Sequence, residues 1–432
     1  MPDGITWLAA ALTNFRAFEQ TGRIDYAPVT LLFGRNSSGK TSILRAPLLL
    51  KQFLEQPPGR EPGFSGADVD FGSYLETVHN GDPRRDISIS AELDFRSLTI
   101  GLPRELASLF EGHPDSIPGR FTFELTLHWN IKRSRTVVSR IVFKPTPSSS
   151  PIIEMLRTGP GKHTVSVGGG RKQKINGELL PQTLRYSALR QNNAQVDREF
   201  DYSMFSLGIV LELAAQRLVH IGPLRDQPSR AYRTDQVGVS TTRDSIEVLR
   251  QGGKTAATVA QALKDLKMAD DIKIDKLAPG YSAILLSEPL TGRLENLADV
   301  GFGVSQVLPI ITTLVTAEAG STVLIEQPEL HLHPEAQGNF ADVMLQLARE
   351  NKLGLVIETH SEHILLRLQR RIADTTIGPE HVAAYFVDRG EVRRSPIDKR
   401  GRLAQDAVPD GFFEEDWKDL MELTAAAAKA AR

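Results

Sequence analysis

The segment GRNSSGKT at residues 34–41 decides the fold of this chain. It fits the pattern G-x-x-x-x-G-K-[ST], and an apolar run before it and a helix-like run after it supply the strand–loop–helix context that makes the pattern specific. Inward-turned backbone amides and the positive end of the following helix suit such a loop to the phosphates of a nucleotide. The predicted phosphate-binding residues are Gly34, Arg35, Asn36, Ser37, Ser38, Gly39, Lys40, Thr41 and Ser42.

Two side chains of this loop have specific expected roles. Lys40 is expected to lie along the β- and γ-phosphates, and the Thr41 hydroxyl to ligate Mg²⁺. The alternative is a plain Gly/Ser turn between a strand and a helix. The loop alone does not choose between a kinase, a GTPase, a helicase and other ATPases.

The composition limits the class of protein. At roughly 150 residues per domain, 432 residues allow two or three units. Lys and Arg total 51 against 53 Asp and Glu, so the overall charge does not indicate a nucleic-acid binder. The absence of cysteine excludes disulfides, thiolate metal sites and cysteine nucleophiles. No signal peptide or membrane span is evident, and we expect a soluble, cytoplasmic protein without a membrane partner.

The periodicity of apolar residues predicts mixed α/β structure. Alternation with a two-residue period predicts antiparallel strands, and the segments concerned are 87–95, 121–130 and 135–143. The stretch 145–175 is rich in Pro, Ser and Gly and is interpreted as a flexible loop. Helical patterns cover 39–54, with an expected kink at Pro47, and also 202–219 and 245–266. From Val323 to Val387 strands and helices alternate, which predicts parallel strands in one sheet with the strand of the phosphate loop.

The run Val323 to Ile325 is an apolar strand that ends in the acid Glu326. Mg²⁺ beside a phosphate loop needs a carboxylate at the carboxyl-terminal edge of the sheet. We therefore predict Thr41 and Glu326 as the metal ligands. An ordinary buried strand with a polar end is the alternative for this run taken alone.

The residues after Glu326 make the class specific. The sequence IEQPELHLHP (325–334) is followed, past one helical stretch, by LVIETHSEHI (355–364). This order resembles the Walker B, D-loop and switch-histidine series of ABC-type ATPases of the SMC, RecF and OLD (overcoming lysogenisation defect) group. The resemblance implies an ATPase that binds ATP and Mg²⁺, with His360 reaching the γ-phosphate.

Two further segments carry the same resemblance. DVGFGVSQVLPI (299–310) stands where these families keep their signature motif, which implies that Gly303, Ser305 and Gln306 face the γ-phosphate of a second subunit. A Gly-rich turn that caps a helix has the same local geometry. LTNFRAF (12–18) resembles the family's opening segment near the adenine, which implies nucleotide contacts by Asn14 and Arg16, with Phe18 as a ring for packing. The alternative for this last segment is a β-hairpin with a core Phe15.

FGSYLETVHNGD (71–82) and IGPLRDQPSRAY (221–232) also look like segments of OLD-related ATPases. Arg225 in the second of them is a candidate to face the site. The chemistry of both segments stays open at this stage.

One residue departs from the family pattern. Gln327 occupies the place where many ABC-type ATPases carry a catalytic glutamate, and a glutamine cannot take a proton from water. Either Glu329 or Glu326 acts as the base, or Gln327 only orients the water. The candidate catalytic residues are Glu326, Gln327, Glu329 and His360, and we expect slow hydrolysis and a long-lived ATP-bound dimer.

The expected fold class is therefore α/β, a P-loop NTPase ABC-type head with a mixed sheet, a β-rich insertion and a helical lobe. We place an N-terminal ATPase part with the phosphate loop at 1–86 and the insertion at 87–200. A helical lobe at 201–290 and a C-terminal ATPase part at 291–395 follow, and a helical tail at 396–432 ends the chain. The resemblance implies a variant without the C-terminal Toprim nuclease of OLD nucleases.

The motif order implies a head-to-tail homodimer that encloses two ATP molecules. By family analogy this dimer is a bacterial anti-phage sensor with a separate effector protein. A genome-maintenance ATPase of RecF or SMC type and a non-hydrolysing ATP-gated scaffold are the alternatives.

Two other interpretations rest on local composition. A metal-hydrolase cluster would use imidazoles and carboxylates, namely His331, His333, Glu329, His360, Glu362 and His363. Nucleic-acid contact would use basic residues of the β insertion, namely Lys132, Arg133, Arg135, Arg171, Lys172 and Lys174. Solvated loops account for these basic residues equally well.

Overall fold

A computed structural model describes most of the chain and contains three β-sheets. The described residues are 6–56, 61–95, 119–146, 153–167, 172–176, 198–225, 227–233 and 241–404. Arg171 and most of the predicted tail at 396–432 lie outside them. No helix in these ranges is long and apolar enough to cross a membrane.

The phosphate loop belongs to a six-stranded sheet. Its strands are β4 (Val29–Gly34), β11 (Leu218–Ile221), β16 (Thr322–Glu326), β17 (Gly354–Glu358), β18 (Val382–Asp388) and β19 (Glu391–Ser395). The order is β11-β16-β17-β4-β18-β19, and every neighbouring pair is parallel except β18 with β19. The carboxyl ends of the parallel strands therefore meet at one edge, where ligands bind in open α/β sheets.

Helices cover both faces of this sheet. They are α1 (Lys40–Glu55), α3 (Arg198–Gln216), α6 (Phe302–Thr316), α7 (Pro334–Glu350) and α8 (Glu362–Ala373). A separate short helix, α2, covers Tyr74–Thr77. Alternate residues of the buried strands serve two cores. Leu324 and Val356 pack on the side of α1, and Ile325 and Ile357 on the side of α7 and α8. This two-sided burial explains the continuous apolar runs of the parallel strands.

Helix α1 runs through Pro47 without a break, although we expected a kink or a short first segment there. A proline removes one backbone donor and crowds the preceding turn. The buried side chains that follow, Leu48, Leu49 and Phe53, keep the second half of the helix on the sheet. Tertiary packing therefore outweighs the local cost of the proline.

The β-rich insertion forms most of a nine-stranded antiparallel sheet. Its strands are β1 (Thr6–Phe15), β2 (Phe18–Gln20), β3 (Ile24–Asp25), β5 (Ile87–Asp94), β6 (Arg120–Asn130), β7 (Arg135–Pro145), β8 (Ile153–Gly159), β9 (Lys162–Val167) and β10 (Gln173–Asn176). The three strands predicted from alternation are confirmed as β5, β6 and β7. The flexible loop predicted at 145–175 is wrong for its described part, because β8, β9 and β10 extend the sheet there. Ile153, Met155 and Val165 fill its core.

The predicted lobe at 201–290 contains its expected helices and also strands. Helix α3 packs on α1, whereas α4 (Thr241–Gln251) and α5 (Gly253–Asp265) pack beside a four-stranded sheet. That sheet consists of β12 (Tyr232–Arg233), β13 (Asp271–Ala278), β14 (Tyr281–Ser287) and β15 (Leu294–Asn296). The segment is thus α+β rather than purely helical.

The phosphate loop has its shape because two glycines meet the rest of the fold. Gly39 has φ +105°, and a Cβ at this position would lie 2.5 Å from the ring of buried Phe18. A Cβ at Gly34 would overlap the carbonyl oxygen of Val387. Larger residues cannot occupy either position without displacing the loop.

We predict that Gly39→Ala destabilises the protein more than Gly161→Ala. Gly161 also has positive φ, but a Cβ there meets nothing within 4 Å, so its replacement costs only backbone strain of roughly 1–2 kcal/mol. Gly39→Ala adds overpacking against Phe18 of roughly 1–3 kcal/mol. Urea unfolding of both variants measures the difference, and equal losses would contradict the proposed contact.

Candidate active site

A cleft of about 540 Å³ opens at the carboxyl-terminal edge of the six-stranded sheet. The phosphate loop forms one side of it, and residues that follow three other strands form the remainder. The lining residues are Arg16, Ala17, Asn36, Ser37, Ser38, Gly39, Lys40, Thr41, Ser42, Gln327, Glu358 and His360. Most of the predicted phosphate-binding residues are therefore brought together with two predicted catalytic residues.

Lys40 is folded back onto its own loop. Its ammonium donates to the carbonyl oxygens of Gly34 at 2.9 Å and Arg35 at 2.8 Å, and the residue is 3% exposed. Burial lowers the pKa of Lys40, although nearby Glu358 and Glu329 partly oppose this change. The cation is thus held inside the loop by neutral acceptors that a phosphate can replace.

Helix α1 brings two of its residues to two neighbouring acids. Thr41 and Arg45 are four residues apart and so lie on one face of the helix. The Thr41 hydroxyl donates to Glu358 Oε1 at 2.8 Å. Arg45 donates to both carboxylate oxygens of Glu326, at 2.6 and 2.8 Å.

Glu326 is buried among basic side chains and does not line the cleft. His220 Nε2 lies 2.6 Å from its Oε1, and Arg225 donates to its main-chain oxygen at 2.9 Å. Burial disfavours the charge of Glu326, but the hydrogen bonds from His220 and Arg45 outweigh burial and hold its pKa below the usual value. The metal role predicted for Glu326 would require its side chain to leave these partners.

Gln327 and His360 reach the cleft from the ends of adjacent strands. Gln327 has φ +44°, and its backbone N–H donates to the main-chain carbonyl of Glu358. The His360 amide donates to Glu329 Oε1 at 2.7 Å. Partial burial, together with the Lys40 ammonium, lowers the pKa of His360, so its imidazole is neutral at pH 7.

Glu329 lies behind these residues rather than in the cleft lining. It is 9% exposed, and burial raises its pKa although its hydrogen bonds oppose this change. Among the described residues its Oε2 has no hydrogen-bond partner. A raised pKa suits a general base that works near neutral pH.

The opening segment supplies Arg16 but not Asn14 or Phe18 to the cleft. Asn14 donates to the Asp86 carbonyl at 2.9 Å and accepts from Arg85 at 3.0 Å, so its amide is occupied. Phe18 is fully buried under Gly39, so the expectation that it packs on a base is wrong. Arg16 lines the cleft, with its guanidinium 5.2 Å from the ring centre of Phe71.

Segment 71–82 has a clear structural role, which its sequence did not reveal. Arg16 has φ +52°, and its amide donates to the Thr77 carbonyl at 2.6 Å. His79 Nδ1 donates to the Arg16 carbonyl at 2.8 Å. These contacts hold the unusual backbone of Arg16 and aim its side chain toward the cleft.

The predicted signature turn does not present Ser305. Helix α6 begins at Phe302, and Ser305 in its first turn is fully buried, with its hydroxyl donating to the Phe302 carbonyl at 2.7 Å. Gln306 is also buried, so the expectation that these two side chains face a second subunit is wrong for this conformation. Phe302 is instead 51% exposed, and its ring centre lies 5.8 Å from that of His331.

The metal-hydrolase interpretation is wrong. All six of its candidate ligands lie in the described part of the chain, where no three His, Cys, Asp or Glu side chains are placed to hold a metal ion. The candidate nucleic-acid contacts do not form one uncommitted set either. Arg135 is paired with Glu61 at 3.0 Å, while Lys132, Arg133, Lys172 and Lys174 are exposed.

Three residues of this region were not assigned a role from the sequence, namely Glu358, Arg45 and His220, whereas Arg225 was a candidate to face the site. Glu358 was detectable, because it ends an apolar strand directly before Thr359 and His360, as Glu326 ends its own strand. The partners of Glu326 come from separate elements and carry no local motif. Arg225 is 7% exposed, and burial lowers its pKa to about 10.

Comparison with known proteins gives a partial family match and distant structural neighbours. Residues 240–365 match the family model of an AAA ATPase domain, a range that contains Glu326, Glu358 and His360 but not the phosphate loop. No curated protein matches the chain significantly. The matched domain, together with the P-loop sheet, supports an ATPase.

Solved structures similar to this chain include three Smc head domains, each at about 10% sequence identity or less. The SmcHead bound to the C-winged helix domain of ScpA has a TM-score of 0.48 at 9% identity and covers 90% of this chain and 97% of that chain. The SMC head domain from Thermotoga maritima has a TM-score of 0.41 at 10% identity and covers 91% and 99%. An Smc head bound to the C-terminal domain of ScpA derived from Pyrococcus furiosus has a TM-score of 0.41 at 10% identity and covers 97% and 100%. Similarity at this level does not indicate a substrate or partner.

The opposite pKa shifts of Glu326 and Glu358 predict that replacing them has opposite effects on the stability of the fold. The lowered pKa of Glu326 means that its ionised form stabilises the fold at pH 7, and this contribution is lost as pH falls through the folded pKa below 4.5. Glu326→Gln should therefore cost roughly 1.5–3 kcal/mol at pH 7. Burial raises the pKa of Glu358, so its ionisation destabilises the fold as pH rises above 4.5.

Glu358→Gln should accordingly be more stable than the wild type at pH 7–8, and this gain should shrink toward pH 4.5. Thermal unfolding of the nucleotide-free proteins across this pH range measures both effects. If the unfolding temperatures of both variants changed in the same direction at pH 7, the environments assigned to the two acids would be contradicted.

Proposed function

We propose that this chain binds ATP with Mg²⁺ in the cleft and hydrolyses it slowly as a dimeric molecular switch. The observation that carries the proposal is the meeting of the phosphate loop, Thr41, Glu358, Gln327 and His360 in one cleft. The AAA ATPase domain match over 240–365 supports the same chemistry. Phosphoryl transfer needs mainly positioning and compensation of charge, and these residues supply both.

The phosphates would be bound by the loop amides and by Lys40 once it exchanges the Gly34 and Arg35 carbonyls for phosphate oxygens. Neutral His360 can donate a hydrogen bond to the terminal phosphate from the opposite side of the cleft. Arg16 also lines the cleft, and its guanidinium suits contact with a base or ribose. The backbone of Arg16 is held by Thr77 and His79, and that of His360 by Glu329. None of these three partners lines the cleft, which favours preorganisation of Arg16 and His360.

Mg²⁺ fits the oxygen donors present. The Thr41 hydroxyl and a buried carboxylate are ligands that Mg²⁺ prefers, with phosphate oxygens and water completing its shell. The absence of a three-residue acidic or imidazole cluster among the described residues agrees with that mode, since Mg²⁺ in such sites uses few protein ligands. The ion would offset phosphate charge during transfer.

Slow hydrolysis follows from the side chain at position 327. Gln327 lines the cleft and can orient a water molecule, but it cannot accept a proton. Glu326 is engaged by Arg45 and His220, so the remaining candidate base is buried Glu329, which lies outside the cleft lining. Proton removal is therefore the step that this arrangement supports least.

We predict that Gln327→Glu raises ATP turnover by on the order of 100-fold, because a positioned general base typically contributes that much. The wild type should turn over well below the median enzyme rate of about 10 per second. Phosphate release under saturating ATP measures both, with Gln327→Ala as the control for loss of water orientation and Lys40→Ala as the background. A fast wild type, or no gain in Gln327→Glu, would argue against this account.

The second copy in the proposed dimer would meet the surface around Phe302. Phe302 is half exposed beside His331 at the first residue of helix α6, and the amides at the start of a helix suit a phosphate. An exposed aromatic anchor of this kind is typical of interface hot spots. The resemblance to ABC-type ATPases supports the same face, although through Phe302 and backbone groups rather than the Ser305 hydroxyl.

We predict that Phe302→Asp weakens ATP-dependent dimerisation by at least about 2 kcal/mol, the loss expected for a hot-spot residue. Leu290→Asp is the matched control, because Leu290 is a 93% exposed apolar residue on the hairpin between β14 and β15. Sedimentation with a non-hydrolysable ATP analogue gives the oligomeric state, and fluorescence titration gives nucleotide affinity separately. Equal dimerisation by the two variants would exclude this face.

The biological role that we propose is anti-phage sensing with a separate effector protein, and it rests on the motif resemblance alone. A genome-maintenance role or a non-hydrolysing scaffold would use the same ATP site. Purification from cells that carry the neighbouring genes, with and without ATP, identifies what co-elutes. Recovery of this chain alone under both conditions would count against a separate effector.

A further inference from the structure

Two carboxylates stand side by side at the edge of the sheet that faces the phosphate loop. Glu326 ends β16 and Glu358 ends β17, and the two residues are direct partners in the parallel register. Registered residues project to the same face of a sheet, here the face covered by α1. Strand β17 lies between β16 and β4, so Glu358 is one strand spacing, about 4.8 Å, nearer to the phosphate loop.

The partners of the two acids differ in kind. Glu358 receives one hydrogen bond, from the Thr41 hydroxyl, and its Oε2 has no partner among the described residues. The residue is 3% exposed and lines the cleft. A buried carboxylate oxygen without a donor is costly unless a cation or another donor reaches it.

Both carboxylate oxygens of Glu326 are already engaged. Arg45 binds both of them, and His220 shares one. A metal ion bound directly to this carboxylate would compete with the bidentate Arg45 pair. Breaking such a buried pair is strongly unfavourable.

We propose that Glu358, together with Thr41, holds the Mg²⁺ of the bound nucleotide, and that Glu326 is a positioning residue that fixes helix α1 through Arg45. This inference rests on the proposed function, because it assigns ligands within the same ATP site. It transfers the metal role predicted for the acid of β16 to the acid of the neighbouring strand. The sequence signal is the acid two positions before His360.

Matched amide variants separate the two roles. Glu358→Gln keeps an oxygen acceptor for the Thr41 hydroxyl but removes the charge, so a purely structural contact survives it. Glu326→Gln makes the same change one strand away. Calorimetric titration with a non-hydrolysable ATP analogue, in Mg²⁺ and in EDTA, gives the ratio of the two dissociation constants for the wild type and each variant. Mn²⁺ electron paramagnetic resonance of the analogue complex reports the ligand set directly.

Glu358→Gln should reduce the Mg²⁺ dependence of binding by at least about tenfold, as losses around metal sites typically do, and leave binding in EDTA equal or tighter. Glu326→Gln should keep the wild-type ratio and Mn²⁺ spectrum. If the ratio is unchanged in Glu358→Gln, the inference is overturned. This holds both when the ratio falls in Glu326→Gln and when it falls in neither variant. A wild type that binds no nucleotide in either buffer refutes the proposed function itself, and this separates the two failures.

Discussion

The insertion of strand β17 between the acidic strand β16 and the phosphate-loop strand β4 is the constraint on which the site depends. It places Glu358 next to Thr41, displaces Glu326 toward Arg45, and brings His360 into the cleft just beyond the strand end. The spacing of α1 matches this order, since Thr41 and Arg45 lie one helical turn apart and meet two adjacent strands. A sheet in which β16 lay beside β4 would give the acids the opposite roles.

Charge compensation divides this edge of the sheet into a satisfied part and an unsatisfied part. The Glu326 carboxylate accepts from Arg45 and is hydrogen-bonded to His220, while Arg225 donates to its main-chain oxygen, so burial there is balanced by hydrogen bonds to basic side chains. Glu358 and Glu329 each keep one oxygen without a partner among the described residues, and burial raises the pKa of both. The first group holds the sheet edge together, whereas the second is suited to respond to a ligand.

The sequence was sufficient for the features that local patterns encode. The loop at Gly34–Thr41, the parallel strands and the alternating strands of the insertion were predicted because their signals are contiguous. Glycine and serine around 145–175 concealed strands β8, β9 and β10, whose apolar positions are few. The choice between Glu326 and Glu358 depends on strand order, which no local pattern contains. The burial of Ser305 depends on how α6 packs, so a motif position could not establish that its hydroxyl is accessible.

A bound nucleotide with its metal ion can relieve two costs of burial at this site, and this connects the electrostatics to a switch. Lys40 is buried on neutral carbonyls, and one Glu358 oxygen has no donor within the part of the chain that the structure describes. A ligand that supplies phosphate oxygens to the first and a cation to the second binds the folded state selectively, and selective binding stabilises that state in proportion to the ligand concentration. If the same ligand also contacts the start of helix α6 in a second copy, ligand binding and closure of the dimer are coupled. Slow removal of a proton from the attacking water, with glutamine in place of an acid at position 327, would then set how long that closed state lasts.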